Sequence, residues 1–415
     1  MFLNLAKIIL PLTACVQLAM ATSAPICSGT KVEIKSEKIL NLPLFNNAST
    51  EMAYAQRLFT ILTGSTIPDK HPHFVKVLRL LAEKKHLEAA NLIVKEKNFL
   101  NVRMKNFVAP FSSKDGSPHE ALNDLQALIL GVTRDELDAR LILTGDIRYS
   151  GQNSLSLPEV SLSNNDHYLT FENQHYSFHD DLELVQDQWK ELDVAAGALT
   201  SRAWSKINYD TGDTNRLGVT NAFNVFLCAP IDSWKMRAVP DMFVRRDVPR
   251  AAGNEGSEYQ NRCRNCHGFM DAMGGAFAKI DFKDLTLVYQ KKGVQPKMNQ
   301  NGHIYPAGFV TVDDSWYNLL NFNPSADFGW RTPLEGVGIK AFGEMLANSS
   351  AYSRCLVTKV FKEVCGKVIK DTAPELLEPL TAELENSGYN LKKLFANVAS
   401  RNECLSYPQQ ESESL

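Results

Sequence analysis

The sequence predicts a mainly α protein in two helical parts with minor β structure. Apolar residues recur at helical spacing in distant places, at Phe74, Val77, Leu78 and Leu81 and again at Leu356, Val357, Val360, Phe361 and Val364. Period-two alternation is confined to short stretches. Two loop-like segments break the pattern, a Ser- and Asn-rich one at 150–166 and a Pro-, Gly- and charge-rich one from Pro240 to Ser257. The second divides a helical region at 22–240, of no assigned role, from a compact domain at 241–405. A chain of 415 residues can bury a large core and accommodate two or three domains.

Taken in order, residues 1–21 read as an export signal. Lys7 precedes the apolar stretch from Ile8 to Leu18, and Ala19-Met20-Ala21 supplies a small-residue cleavage site. The apolar run falls short of the ~20 residues of a membrane span. Leu12-Thr13-Ala14-Cys15 also resembles a lipobox, in which Cys15 would carry a lipid and anchor the protein to a membrane face. The short apolar core before Cys15 favours cleavage after Ala21, and either route places the protein outside the bacterial cytoplasm, in the periplasm or at the cell surface.

Helices are expected from about 51 to 145, punctuated by Gly64 and Pro68. Gly131 is read as a helix end, and Thr133-Arg134-Asp135-Glu136 as a capping box opening a helix that closes near Thr144-Gly145. The alternation from His167 to Phe178 predicts a short hairpin. Helices are expected again over 181–202 and 215–228. Weak strand signals follow Phe277-Ala278-Lys279-Ile280-Asp281, and the carboxy-terminal part returns to helix, with a stripe at Leu391, Leu394, Phe395 and Val398. Residues 406–415 form an acidic tail expected to fray.

A net charge of −3 with a pI near 6.3 gives no basic footprint, so nucleic acid is not an expected partner. Eight cysteines are present, seven of them beyond Ala21, a usage that fits an oxidising compartment. Cys355 and Cys365 lie on one helix about 15 Å apart, too far for a disulfide, which needs Cα atoms within about 7 Å. An antiparallel arrangement of the last helices would pair Cys355 with Cys404. Buried free thiols are the alternative.

The chemistry concentrates in Cys263-Arg264-Asn265-Cys266-His267, a C-x-x-C-H run with the spacing of covalent haem attachment. Thiols at i and i+3 of a helical turn face one way, so Cys263 and Cys266 can each form a thioether to one haem c. His267 can then serve as proximal iron ligand. Met345 is the expected distal ligand, with Met298, in a polar loop, and His303 as alternatives, and a five-coordinate iron with an open face also compatible. Met270 and Met273 lie too near His267 to reach the opposite ring face. In the flank from Gly268 to Phe277 the glycines could admit a flat ligand and Phe269 and Phe277 could pack on it, or the helix could simply end at Gly274-Gly275. His71 and His73, like His175 and His179, are read as weaker groupings, the latter as a solvated polar turn. No nucleophile elbow, phosphate loop or dinucleotide fingerprint occurs.

With these residues assembled, the chain resembles the planctomycete-type cytochrome c proteins, secreted bacterial proteins in which C-x-x-C-H is followed by Met-Asp-x-x-Gly-x-Ala-Phe and then an Asp. The matching positions run from Cys263 through His267, Met270-Asp271, Gly274 and Ala276-Phe277 to Asp281. Arg57-Leu58-Phe59, Leu62-Thr63-Gly64, Thr214-Asn215-Arg216 and the helices bearing Cys355, Cys365 and Gly388-Tyr389-Asn390-Leu391 are similar to the same group. Ala272, where the family often has Pro, and the additional Gly275 depart from the pattern. The resemblance implies a cytochrome c-like haem domain at 241–405 and a mono-haem electron-transfer function, with no redox partner indicated. A haem-free secreted structural or binding protein, with Cys263 and Cys266 in a disulfide or zinc site, and a haem peroxidase with an open distal face are the competing readings.

Overall fold

Ala55, Leu58, Phe59 and Leu62 turn one buried stripe inward from the first helix among the described residues, α1 (Ala48–Thr63), which stops where Gly64 takes a positive φ of 69°. The computed structural model describes residues 48–210, 213–234, 242–246, 263–304, 306–322 and 327–405. The expected export signal, Cys15, Cys27 and the acidic tail lie outside the described residues. The described residues from Ser49 onward belong to one compact unit.

Helix α2 (Pro72–Ala82) opens on a Pro in its first turn and buries Phe74, Val77, Leu78 and Leu81, the stripe the spacing predicts. Helix α3 (His86–Ile93) packs on it. Helix α4 (Asp124–Arg134) is capped by Asn123, whose side chain accepts the Gln126 amide, and is buried along nearly its whole length. Strand β1 (Ile147–Gly151) crosses it. Gly131 does not end this helix. It lies inside α4, where a Cβ would collide with the Tyr149 ring of β1. Thr133 is not a cap either, since its hydroxyl donates back to the Ile129 carbonyl at 2.8 Å in the last turn of α4. Only a one-turn helix, Leu141–Thr144, follows.

The expected hairpin at 167–178 is a helix, α5 (Asp166–Asn173), burying His167, Tyr168 and Phe171. Its aromatic residues suggest strand by type, yet they occupy one helical face. The expected helix over 181–202 is mostly absent: β2 (Leu182–Gln186) pairs antiparallel with β1 instead, and the chain continues irregularly to a 3-10 turn at Gly197–Thr200. Helices α6 (Arg202–Asn208) and α7 (Arg216–Leu227) follow.

Helix α8 (Arg264–Met273) carries the C-x-x-C-H run. Beyond it come an antiparallel pair, β3 (Ile280–Lys283) and β4 (Thr286–Tyr289), and a second pair, β5 (Ser315–Tyr317) with β6 (Glu335–Val337). The chain then becomes helical through α9 (Gly338–Ala347), α10 (Ser350–Cys365), α11 (Leu377–Asn386) and α12 (Leu391–Ala399). These elements give a mainly α fold whose sheets have two strands each among the described residues.

Helix α10 occupies the centre, packed on α7, α11 and α12. Its apolar stripe is buried as the spacing predicts, Ser349 caps its start, and Gly366 ends it with a φ of 66°. The disulfides are Cys228–Cys355, from the end of α7 to α10, and Cys365–Cys404, from the end of α10 to the one-turn helix Asn402–Leu405. The expected Cys355–Cys404 pair does not form. Helix α11 brings the chain back, so α12 runs parallel to α10 rather than antiparallel. Their starts meet at Ala139, whose amide donates to the Tyr389 carbonyl and whose carbonyl accepts the Tyr352 hydroxyl, at 3.0 and 2.6 Å. Their ends meet at Cys365 and Cys404.

Candidate functional site

Cys263 stands at the N-cap of α8 and Cys266 in its first turn, both partly exposed. They are the free cysteines among the described residues. Burial, and then the Asp232 carboxylate and the Cys263 thiol, push the Cys266 thiol up, which keeps it protonated at neutral pH rather than a reactive thiolate.

His267 follows on the same turn and is buried. One turn further along α8, its Nδ1 lies 3.2 Å from Asp271 Oδ2. Burial alone would push the Asp271 carboxyl up. The Arg216 charge and hydrogen bonds from His267 and Arg216 overcome it and hold the group far below the usual carboxylate range. An ionised carboxylate only accepts, so the hydrogen between the two groups is assigned to His267 Nδ1.

Two arginines from upstream segments build this arrangement. Arg216, at the start of α7, meets the Asp271 carboxylate at two points, through Nε to Oδ1 and through Nη2 to Oδ2 at 3.0 Å. Arg245 donates from Nη1 to the Asp271 carbonyl at 2.7 Å and from Nε to Thr311 Oγ1 at 2.9 Å. Its guanidinium fits because Gly274 has no side chain, where a Cβ would lie 2.9 Å from Nη1. Asn215, with a φ of 60°, donates from Nδ2 to the carbonyls of Phe277 and Ile280 at 2.9 and 2.8 Å. Arg216 therefore grips α8 and Asn215 the segment that follows it. The sequence marks Thr214-Asn215-Arg216 only as a stretch similar to the family and gives Arg245 no role, because the partners of Arg216, Arg245 and Asn215 are remote in the chain.

The glycine- and Phe-rich flank is used for packing. Helix α8 ends at Met273, and the 3-10 turn Gly274–Phe277 lets β5 come so close that a Cβ on Gly275 would collide with the Ser315 carbonyl oxygen. Phe277 is fully buried, with Phe342 edge-on at 5.1 Å and Tyr209 at 5.6 Å between ring centroids. Asp281, the carboxylate later in the pattern, is buried against the Lys297 ammonium.

Met345 is buried on α9, and its sulfur accepts from Asn318 Nδ2 at 3.3 Å. Asn318 follows β5, the strand that packs on α8. Met298, expected in a polar loop, is fully buried in the 3-10 turn Pro296–Asn299 because the preceding Gln295 pins that turn to Lys279 and Ala278. His303 is exposed. His175 takes a positive φ in a turn, and His179 pairs with the adjacent Asp180 at 2.8 Å.

In donor type and spacing the set matches what covalent haem attachment requires. Two unpaired thiols stand at i and i+3, and the histidine after them carries its proton on the nitrogen turned toward a fixed anion. No family model, curated protein or solved structure matches this chain.

Proposed function

We propose that the chain is an extracytoplasmic mono-haem c-type protein of the planctomycete-type cytochrome c group, serving electron transfer. One observation carries this reading: Cys263 and Cys266 stay reduced in a chain whose other described cysteines are all paired in disulfides. Disulfides belong to oxidising compartments, where C-x-x-C-H motifs receive their haem. Among the described residues, no helix is long and apolar enough to cross a membrane.

In this reading Cys263 and Cys266 hold the haem through thioethers and His267 offers Nε2 to the iron. The bound haem supplies reversible one-electron chemistry. Asp271 fixes the imidazole orientation, as outer-sphere carboxylates do for metal-bound histidines. Arg216 and Arg245 hold Asp271 in place from the carboxylate and the carbonyl sides.

A second reading, peroxide chemistry at an open iron face, draws on Met345, whose sulfur already takes the Asn318 hydrogen bond. Both readings meet one experiment. The full chain is produced with a periplasmic haem-attachment system, and haem is assayed after denaturation, by a pyridine haemochrome spectrum and a haem stain. Covalent haem that is lost in Cys263→Ser/Cys266→Ser supports attachment, and wild-type protein free of covalent haem overturns it. A Met- or His-ligated spectrum inert to peroxide supports electron transfer, and a rapid spectral change with peroxide supports the second reading.

A further inference from the structure

Far from the C-x-x-C-H helix in sequence, His71, His73 and Glu96 bring two imidazoles and a carboxylate together. One ligand atom from each lies within 4.8 Å of the other two. His71 is the N-cap of α2, in extended backbone with φ −63° and ψ 135°, and His73 stands in the first turn. Pro72 between them fixes its own φ, so the pair is held at its spacing before any ligand arrives. Glu96 arrives from the turn after α3, where its amide donates to the Ile93 carbonyl and its carbonyl accepts from Phe99. The carboxylate meets His73 Nδ1 directly. The imidazole planes of His71 and His73 stand at 78°, edge to face, with centroids 5.4 Å apart. A cavity of about 370 Å³, lined in part by Phe59, Ser65, Pro68, His71 and Glu96, adjoins the group.

We infer that His71, His73 and Glu96 form a binding site for a divalent cation, with Zn²⁺ the best match. Imidazole nitrogen and carboxylate oxygen are ligands for this borderline ion, and three protein ligands are one short of the tetrahedral set. That complement is the one found where a zinc keeps a position for water. An ordinary helix cap explains His71, whose Nδ1 accepts the His73 amide at 3.3 Å. An ordinary ion pair explains His73 with Glu96. Neither explains why all three donors converge, with two of them, His71 and Glu96, lining a cavity. The metal would link the start of α2 to the turn after α3. The site is independent of the haem reading.

The test uses untagged full-length protein with Cys263→Ser and Cys266→Ser, so that the C-x-x-C-H thiols do not compete for metal. After chelator treatment and dialysis, Zn²⁺ binding is followed by calorimetry, and Co²⁺ is added as a spectroscopic probe. One equivalent of Zn²⁺ should bind, the thermal midpoint should rise with it, and Co²⁺ should give visible ligand-field bands. Outer-shell changes alone cost metal sites about 10–100-fold, so losing a direct ligand should weaken binding by roughly tenfold or more. His71→Asn keeps a capping side chain while removing the imidazole, and Glu96→Gln keeps shape while removing charge. Circular dichroism identifies any variant that fails to fold. Absence of binding in the parent protein, or unchanged affinity in folded His71→Asn and Glu96→Gln, overturns the site.

Discussion

Arg216 and Asp271 form a buried two-point ion pair that joins the start of α7 to the last turn of α8, across 55 residues of sequence. Asp271 has no exposed side-chain surface and Arg216 almost none. The same carboxylate also accepts from His267, so one anion ties the front of the chain to the histidine of the C-x-x-C-H run.

Removing one partner of such a pair strands a charge in the interior. Arg216→Met should therefore destabilise the protein by about 3–5 kcal/mol. The double variant Arg216→Met/Asp271→Asn should recover part of that loss, since it leaves no buried net charge. Urea denaturation of the three proteins measures both effects. A loss under about 1 kcal/mol in Arg216→Met would show that water or another cation reaches Asp271.

Gly131 gives a steric prediction. Any side chain there enters the Tyr149 ring, which is fully buried and anchored by its hydroxyl donating to Asp135 at 2.6 Å. Gly131→Ala would gain helix propensity in an open helix, by up to about 1 kcal/mol. Here overpacking should outweigh that gain and give a net loss of about 1–3 kcal/mol. A variant melting at or above the wild-type temperature would mean that β1 can slide away from α4 at little cost.

The helices with one apolar stripe are legible because their burial is local: α2, α10 and α12 each present the spacing within a few turns. Gly131 and Thr133 mislead because the same residue types that end or cap helices also permit close packing and back-bonding inside one. Strand β2 is not legible because its partner β1 lies well upstream, and pairing of that kind leaves little pattern in either segment. The same holds at the candidate site. Cys263, Cys266 and His267 declare themselves by spacing, whereas Arg216, though part of the Thr214-Asn215-Arg216 stretch, and Arg245 sit 55 and 26 residues before Asp271, so their contact with it leaves no local sign.

The disulfides lead to a chemical prediction. Peptide mapping without reduction should recover Cys228 linked to Cys355 and Cys365 linked to Cys404, and no Cys355–Cys404 peptide. Cys228–Cys355 spans 127 residues and Cys365–Cys404 spans 39, so the first constrains the unfolded chain more. Cys228→Ser/Cys355→Ser should cost about 2–5 kcal/mol, read from the denaturation midpoint. A Cys355–Cys404 peptide would instead require α12 to run antiparallel to α10.

His167 makes stability depend on acid. Its Nε2 accepts the Gly151 amide at 2.9 Å and its Nδ1 donates to the Pro158 carbonyl at 2.6 Å, an arrangement that needs the neutral ring with its proton on Nδ1. Burial lowers its pKa from the ordinary 6.5, the Arg148 charge adds to that, and the Pro158 carbonyl opposes both without cancelling them. The unfolded chain therefore takes up this proton first as pH falls. Stability from this group is complete above the ordinary histidine pKa and declines as pH drops below about 6.5, continuing until the folded pKa is passed. Protonation would also set an N–H of the ring against the Gly151 N–H and loosen β1 from α5. Thermal midpoints measured from about pH 7.5 to 5.5 should fall for the wild type, whereas His167→Asn should begin lower and show a shallower slope. Equal slopes in the two proteins would place the acid-sensitive group elsewhere.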